Sequence, residues 1–404
     1  MPKNPLLFPD EFILEGSDSD SGIGAIEIAV SNLNIAAKAG AMRQANAIRT
    51  AGQIAIKNQN RGMPTLNSFL PIRSVGRFTV PPSEPSGTLG YFISGWGDTT
   101  QGSIFNQRTR TDRFTFASDT ITSLGARISP HLHYATANST FGYIFGGASA
   151  SNASWRMTYQ TESFAQIGAA LFPNRYYGAS LKNQSRGYFC GGSSGGTSYG
   201  DVDRFTFAGE VCVSIGSLLE SRNAPSGFGN RFNGYLAGGF ANAVTANTTN
   251  TIERFSYASE SRAATAASLS INRAAMSTWI PGSLLASYLM AGYCYGSFPN
   301  PGVSPARSFY TNVVDKFTFT GETCAALGST LSKGIASFGA IGSPTRCTFG
   351  GGSAHTDAYT AQNTYNVESN ELGNITFSTE TNTLLASVLS QGRTYLSAVD
   401  NATF

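Results

Sequence analysis

The stretch Asp112-Arg-Phe-Thr-Phe-Ala-Ser-Asp119 returns, with small changes, along most of the chain. It reads DRFTFAGE at Asp203–Glu210, ERFSYASE at Glu253–Glu260 and DKFTFTGE at Asp315–Glu322. Weaker copies are WRMTYQTE at Trp155–Glu162 and GNITFSTE at Gly373–Glu380. Apolar and polar residues alternate with period two, then small polar residues interrupt the run. Each copy is therefore a strand entering a tight hairpin. An internal period of this kind outranks any local propensity in deciding the fold.

Two further phrases keep register with the first. Upstream stands an aromatic with a glycine four residues on: Tyr91 and Gly95, Tyr143 and Gly147, Tyr188 and Gly192, Tyr235 and Gly239, Tyr288 and Gly292, with Cys347 and Gly351 in the sixth copy. Downstream, six residues after each turn acid, stands a small residue: Gly125, Gly168, Gly216, Ala266, Gly328 and Ala386. Three further on comes an aliphatic: Ile128, Leu171, Leu219, Leu269, Leu331 and Leu389. A basic residue follows at Arg175, Arg222, Arg273, Lys333 and Arg393, with His131 in the first copy. Each copy supplies four short strands that cannot bury a face alone, so the copies must stack radially. The reading is an all-β, six-bladed propeller over residues 87–404. From Leu389 the chain runs fifteen residues to Phe404, whereas Tyr91 lacks a strand before it. Residues 392–404 are therefore expected to supply the innermost strand of the first blade and close the ring.

The order of basic residue, aromatic–x–x–Gly-Gly and alternating strand with an acidic turn resembles the kelch repeat, over roughly four fifths of the chain. The Trp usual in the fourth strand of that repeat is replaced here by Ile, Ala or Leu. The FTFAS turns, the Gly/Ser/Asn loops and the low charge resemble the kelch-type propellers in virion proteins of tailed bacteriophages, including those of cyanobacteria. That resemblance implies a tail fibre or host-attachment protein, assembled in the host cytoplasm and carried in the virion tail.

Composition narrows the function classes. The net charge is +3 and charged residues make up 13% of the 404, about half the usual share. No basic stripe marks a nucleic-acid partner. No run of eighteen apolar residues suggests membrane insertion, and the amino terminus MPKNPLLFPDEF does not read as a signal peptide. Cys190, Cys212, Cys294, Cys324 and Cys347 form no CxxC pair and read as free thiols. His131 and His133 flank Leu132 on one strand face, a metal site or a structural pair; with no cysteine or carboxylate at ligand spacing, no metal and no cofactor are expected. The triplet Asn138-Ser139-Thr140 is a glycosylation pattern expected by chance. The six turn acids read as hairpin chemistry and not as catalytic carboxylates, so the chain reads as a non-enzyme. A carbohydrate-active propeller enzyme, a head or tail decoration protein without receptor binding, and an intracellular adaptor are the alternatives.

Loop lengths point to the functional face. The step from the strand-b glycine to strand c varies: Gly95 to Phe114, Gly147 to Met157, Gly192 to Phe205, Gly239 to Phe255, Gly292 to Phe317 and Gly351 to Ile375. Those connections all emerge on one face of the disc, and insertions confined to one face mark a binding surface. The two longest carry Tyr295, Phe298, Phe309 and Tyr310, and His355, Tyr359 and Tyr365. These rings suit a host cell-surface glycan or protein, or else pack the loops onto the disc.

Residues 1–71 do not repeat and read as a long α-helix or extended stalk. Ile26, Val30, Leu33, Ala37 and Ile54 approximate a seam with small residues in its second half. Such a seam permits a bundle or homotrimer and docking onto other virion proteins; a helix lying on its own propeller is the alternative. Residues 72–86 form a Pro-rich linker with Pro81, Pro82 and Pro85.

Overall fold

The computed structural model describes residues 88–97, 106–107, 109–124, 128, 134–147, 153–241, 248–278, 285–296, 307–354 and 367–401. The helix seam, the linker and His131 and His133 lie outside them. No helix occurs among the described residues. They form six four-stranded antiparallel sheets, with strands a, b, c and d in that spatial order, and three smaller sheets of two or three strands. The a strands are Ser397–Asp400 (blade I), Tyr134–Ala137 (II), Ala179–Lys182 (III), Ser226–Gly229 (IV), Ser277–Thr278 (V) and Gly339–Gly342 (VI). Each touches the next around a closed circle, and together they line a central channel of about 190 Å³. The described residues form a six-bladed β-propeller.

Blade I joins distant parts of the chain. Its b strand, Leu89–Ile93, pairs antiparallel with Ser397–Asp400, from Gly90 opposite Asp400 to Ile93 opposite Ser397. In blades II, III and IV the a–b turn is covalent, and an Asn caps it: Asn138 Oδ1 accepts from Thr140 and Phe141 N–H, Asn183 Oδ1 from Ser185 and Arg186, and Asn230 Oδ1 from Phe232 and Asn233. In blade I, Asn401 Oδ1 accepts from Thr88 and Leu89 N–H at 3.1 Å each, reproducing the same turn without the peptide link. The Asn-x-Ser/Thr triplets at 138 and 183 are thus Asx turns, chemistry that fixes a hairpin.

The repeat phrases meet at the seams between blades. The strand-b tyrosine of one blade stacks on the second aromatic of the next blade's FTF: Tyr91 on Tyr159 at 5.3 Å, Tyr143 on Phe207 at 5.6 Å, Tyr188 on Tyr257 at 5.4 Å and Tyr288 on Phe377 at 5.5 Å. The same tyrosine's hydroxyl, with the strand-c base, donates to the next blade's turn acid. Tyr91 Oη and Arg113 reach Glu162 Oε1 at 3.2 and 2.8 Å, and Tyr235 Oη and Arg254 reach Glu322 at 2.9 and 3.0 Å. Glu210, Glu260 and Glu380 are held alike by Tyr143, Tyr188 and Tyr288 with Arg156, Arg204 and Lys316. The turn acids therefore latch blades together besides turning a hairpin.

Three assignments change with the structure. Gly351 and Gly352 carry the positive φ values that Gly191 and Gly192 carry in blade III, so the sixth aromatic position is Thr348 and not Cys347. Thr348 lies opposite Asn374 as Tyr188 lies opposite Arg204. The sixth glycine is Gly352, which a β-carbon would press to 2.8 Å from Ala336 O. In the third copy the buried aliphatic is Leu218, while Leu219 is exposed. In the fifth, the position four residues before strand a belongs to buried Ile335; Lys333 is half-exposed and pairs with Glu371 at 2.6 Å.

The basic residue itself is core material. Arg175, Arg273 and Arg393 are fully buried and pair with the acid that heads the repeat phrase in the following blade's c strand: Asp203 at 2.8 Å, Asp315 at 3.0 Å and Asp112 at 3.0 Å. Asp203, Asp315 and Asp112 also accept the N–H of Phe172, Ser270 and Ser390 from the preceding linker. Arginine and acid vary together along the chain. Where the acid is replaced, by Trp155 and Gly373, the arginine is absent too. Burial pushes all five cysteine thiols up, Cys190 and Cys294 to about 12, and none forms a disulfide.

Candidate functional site: an aromatic arc on the loop face

In every blade the a–b and c–d turns emerge on one face, and the b–c connections and d–a linkers on the other. On that second face the linkers form a hydrogen-bonded collar around the channel mouth. Ala224 N–H donates to Tyr177 O at 2.7 Å, Ala275 to Ala224 at 2.9 Å, Ser337 to Ala275 at 2.9 Å and Tyr395 to Ser337 at 2.8 Å. To aim each N–H at the neighbouring carbonyl, all five residues adopt left-handed backbone, with φ from 49 to 57°. A β-carbon makes that conformation cost about 1 kcal/mol or more each. The collar's bonds hold it in place.

Outside the collar runs a second tier. The residue before each collar position pairs with the residue after the strand-b glycine: Thr394 with Trp96, Tyr176 with Ser193, Asn223 with Phe240, Ala274 with Tyr293 and Ala336 with Ser353. The collar and this outer tier mix aromatic with small residues, and the aromatic members meet. Tyr395 lies 5.3 Å from Tyr177 and 6.4 Å from Trp96, and Tyr177 lies 5.1 Å from Tyr176. Tyr293 lies 5.8 Å from Phe240 and 5.7 Å from Tyr310. Tyr310 in turn feels Tyr395 electrostatically, and burial pushes its phenol up to about 12. Burial, and then the Tyr395 phenol beside it, hold the Tyr177 hydroxyl well above the usual tyrosine range. These seven half-buried rings, in two contacting groups of four and three, make an arc over the mouth, with Ala224, Ala275 and Ser337 at the other described collar positions.

Of the residues singled out from the sequence, Tyr310 belongs to this arc. Phe309 is its neighbour in the c strand Arg307–Thr318 of blade V, half-buried and opposite Cys294. Tyr295 lies in the b strand Ala286–Gly296 opposite Ser308, its side chain outside the described residues. Phe298, His355, Tyr359 and Tyr365 also lie outside them. Trp96, Tyr176, Tyr177, Phe240, Tyr293 and Tyr395 escaped the sequence reading because they sit in short linkers and at strand ends. The signal was two repeat columns, one directly after the strand-b glycine and one two residues after the buried arginine, with Tyr176 beside the second.

The arc can stack on a flat or C–H-bearing face and exchange hydrogen bonds through five phenol groups; none of its seven side chains is charged. Among the described residues no group of three or more His, Cys, Asp or Glu could hold a metal ion. No protein-family model matches the chain, and no curated protein matches it. The solved structure of YjhT is similar, with a TM-score of 0.54 at 17% identity, covering 66% of this chain and 86% of that one. At that identity the likeness concerns the propeller fold.

Proposed function

We propose that the chain is a binding and assembly protein of a phage virion, a tail or fibre component that does no chemistry of its own. Residues 1–71 dock onto other virion proteins, as a homotrimer or beside them, and the loop face of the ring meets the host surface. The observation that carries this reading is the uncharged aromatic arc on the loop face. Thr88, where the described chain enters the ring, stands on the tight-turn face beside Asn401, and the aromatic arc stands on the other. The kelch-like phrase and its resemblance to virion propellers supply the rest.

The test is attachment of the purified full chain to host cells. Replacing Tyr177, Tyr310 and Tyr395 together by Ala should reduce attachment at least roughly tenfold, aromatic anchors being worth about 1–4 kcal/mol where desolvated. Phe232, 57% exposed on the tight-turn face, serves as the control. Attachment lost on Phe232→Ala and kept by the triple variant would reverse the faces. Turnover of a surface polysaccharide by the intact chain would overturn the non-enzymatic reading.

A further inference from the structure

The arc's composition specifies a ligand class. We infer that the aromatic arc over the channel mouth is a binding site for neutral saccharide, seating pyranose rings on Tyr177, Tyr395 and Tyr310; this rests on the loop face being the recognition face. Four observations lead there. The first is that the repeat does not need these rings: the collar positions filled by Tyr177 and Tyr395 hold Ala224, Ala275 and Ser337 in three other blades, at the same φ. Two tyrosines have been placed in a strained backbone site that alanine already satisfies, and strain retained without a packing need is a pointer to function.

The second observation is placement. Tyr177 and Tyr395 enter blades III and I, two positions apart on the ring, yet their rings meet at 5.3 Å across the intervening blade. The third is charge. None of the seven arc residues carries one, nor do Ala224, Ala275, Ser337 and Ser353 beside them. The raised Tyr177 and Tyr310 phenols stay protonated at any physiological pH, so they donate and accept without becoming anionic. An acidic sugar would find no cation in the arc; a neutral one has apolar C–H faces for the rings and hydroxyls for the phenols. The fourth is size. Seven half-buried rings expose far less than the roughly 800 Å² per side of a stable protein interface, but enough for one or two sugar rings.

Affinity electrophoresis tests this with the intact chain in gels containing dextran, mannan, galactan or xylan, and in parallel alginate as an acidic polymer. At least one neutral polymer should retard the chain. Tyr177→Ala with Tyr395→Ala should raise the apparent dissociation constant roughly tenfold or more, and Phe232→Ala should leave it unchanged. The double variant restores the repeat's own residue at both positions, and an unchanged melting curve verifies its fold. Tyr395→Phe keeps the ring and loses the hydroxyl, so it should fall between the two. Retardation by none of the four neutral polymers, by alginate alone, or equally for the double variant overturns the inference. Host attachment that needs the arc while no neutral polymer binds would sink the saccharide assignment and leave the attachment reading standing. Polymer binding without host attachment would do the reverse.

Discussion

At the residue scale, the buried ion pairs dominate the energetics. Arg273 and Asp315 are both fully buried, so removing one partner leaves the other charge unpaired in the core. Arg273→Ala should cost about 3–5 kcal/mol in urea unfolding, whereas the double replacement Arg273→Met with Asp315→Leu should recover most of it. A double variant as unstable as the single one would show that the pair is not the reason. Glu253 is the exception among these acids. It is buried, but Arg222 makes its ion pair with Glu220, at 3.6 Å, and burial raises the Glu253 carboxyl above its ordinary range. A group with a raised folded pKa favours the native state while protonated, and that contribution is lost as pH climbs from the ordinary carboxylate value through the folded one. Glu253→Gln should therefore melt like the parent below the ordinary carboxylate value. It should be more stable than the parent at neutral pH. A gain that shrinks with rising pH would contradict the assignment. The arginine column was legible in the sequence as a basic position, but its partner was not, because Arg175 and Asp203 stand 28 residues apart and only the ring brings them together.

At the scale of strand and blade, the seam between blades VI and I is built differently from the other five. Thr348 and Asn374 replace the tyrosine and the base, and Thr348 donates to Asn374 Oδ1 at 2.6 Å instead of reaching across. The latch is carried by Arg346, from the start of strand b, which donates to both oxygens of Asp119 and lies 5.8 Å over the Phe116 ring. Arg186 holds the same place in blade III, but its acceptor Glu260 also receives Tyr188 and Arg204. Arg346→Ala should therefore destabilise the ring by roughly 1–2 kcal/mol, and Arg186→Ala by under about 0.5 kcal/mol, both groups being partly open to solvent. Equal costs in parallel denaturation curves would show that the sixth seam has a further latch. The period-two strands and turn acids were readable because each is a local pattern. The one-residue displacement of the sixth copy was not. Gly350-Gly351-Gly352 offers three registers, and the positive φ of the last two decides among them.

At the scale of the whole molecule, the ring depends on Ser397–Asp400 lying beside Leu89–Ile93. Deleting residues 392–404 removes that ladder and the Arg393–Asp112 pair, leaving strand b of blade I as an open edge. The product should melt well below the parent and aggregate; calorimetry with light scattering reads both, and an unchanged melt would mean the ring holds without its clasp. The number of blades was legible because it counts repeats. The arc was not, since its rings come from four blades and converge only in the closed circle. The clasp also sets an order in time. It joins residues 313 apart, whereas the neighbouring seam from Tyr91 to Glu162 spans 71, and loop closure over the longer span costs about 1 kcal/mol more. Blade I is therefore completed last, and on a ribosome it cannot be completed until the final strand has emerged. A circularly permuted gene that links Asn401 to Thr88 through one residue and opens another a–b turn would convert that slow contact into a local hairpin. Refolding of the first blade should quicken while the unfolding rate barely moves, since the described contacts of the ring are kept apart from those at the opened turn.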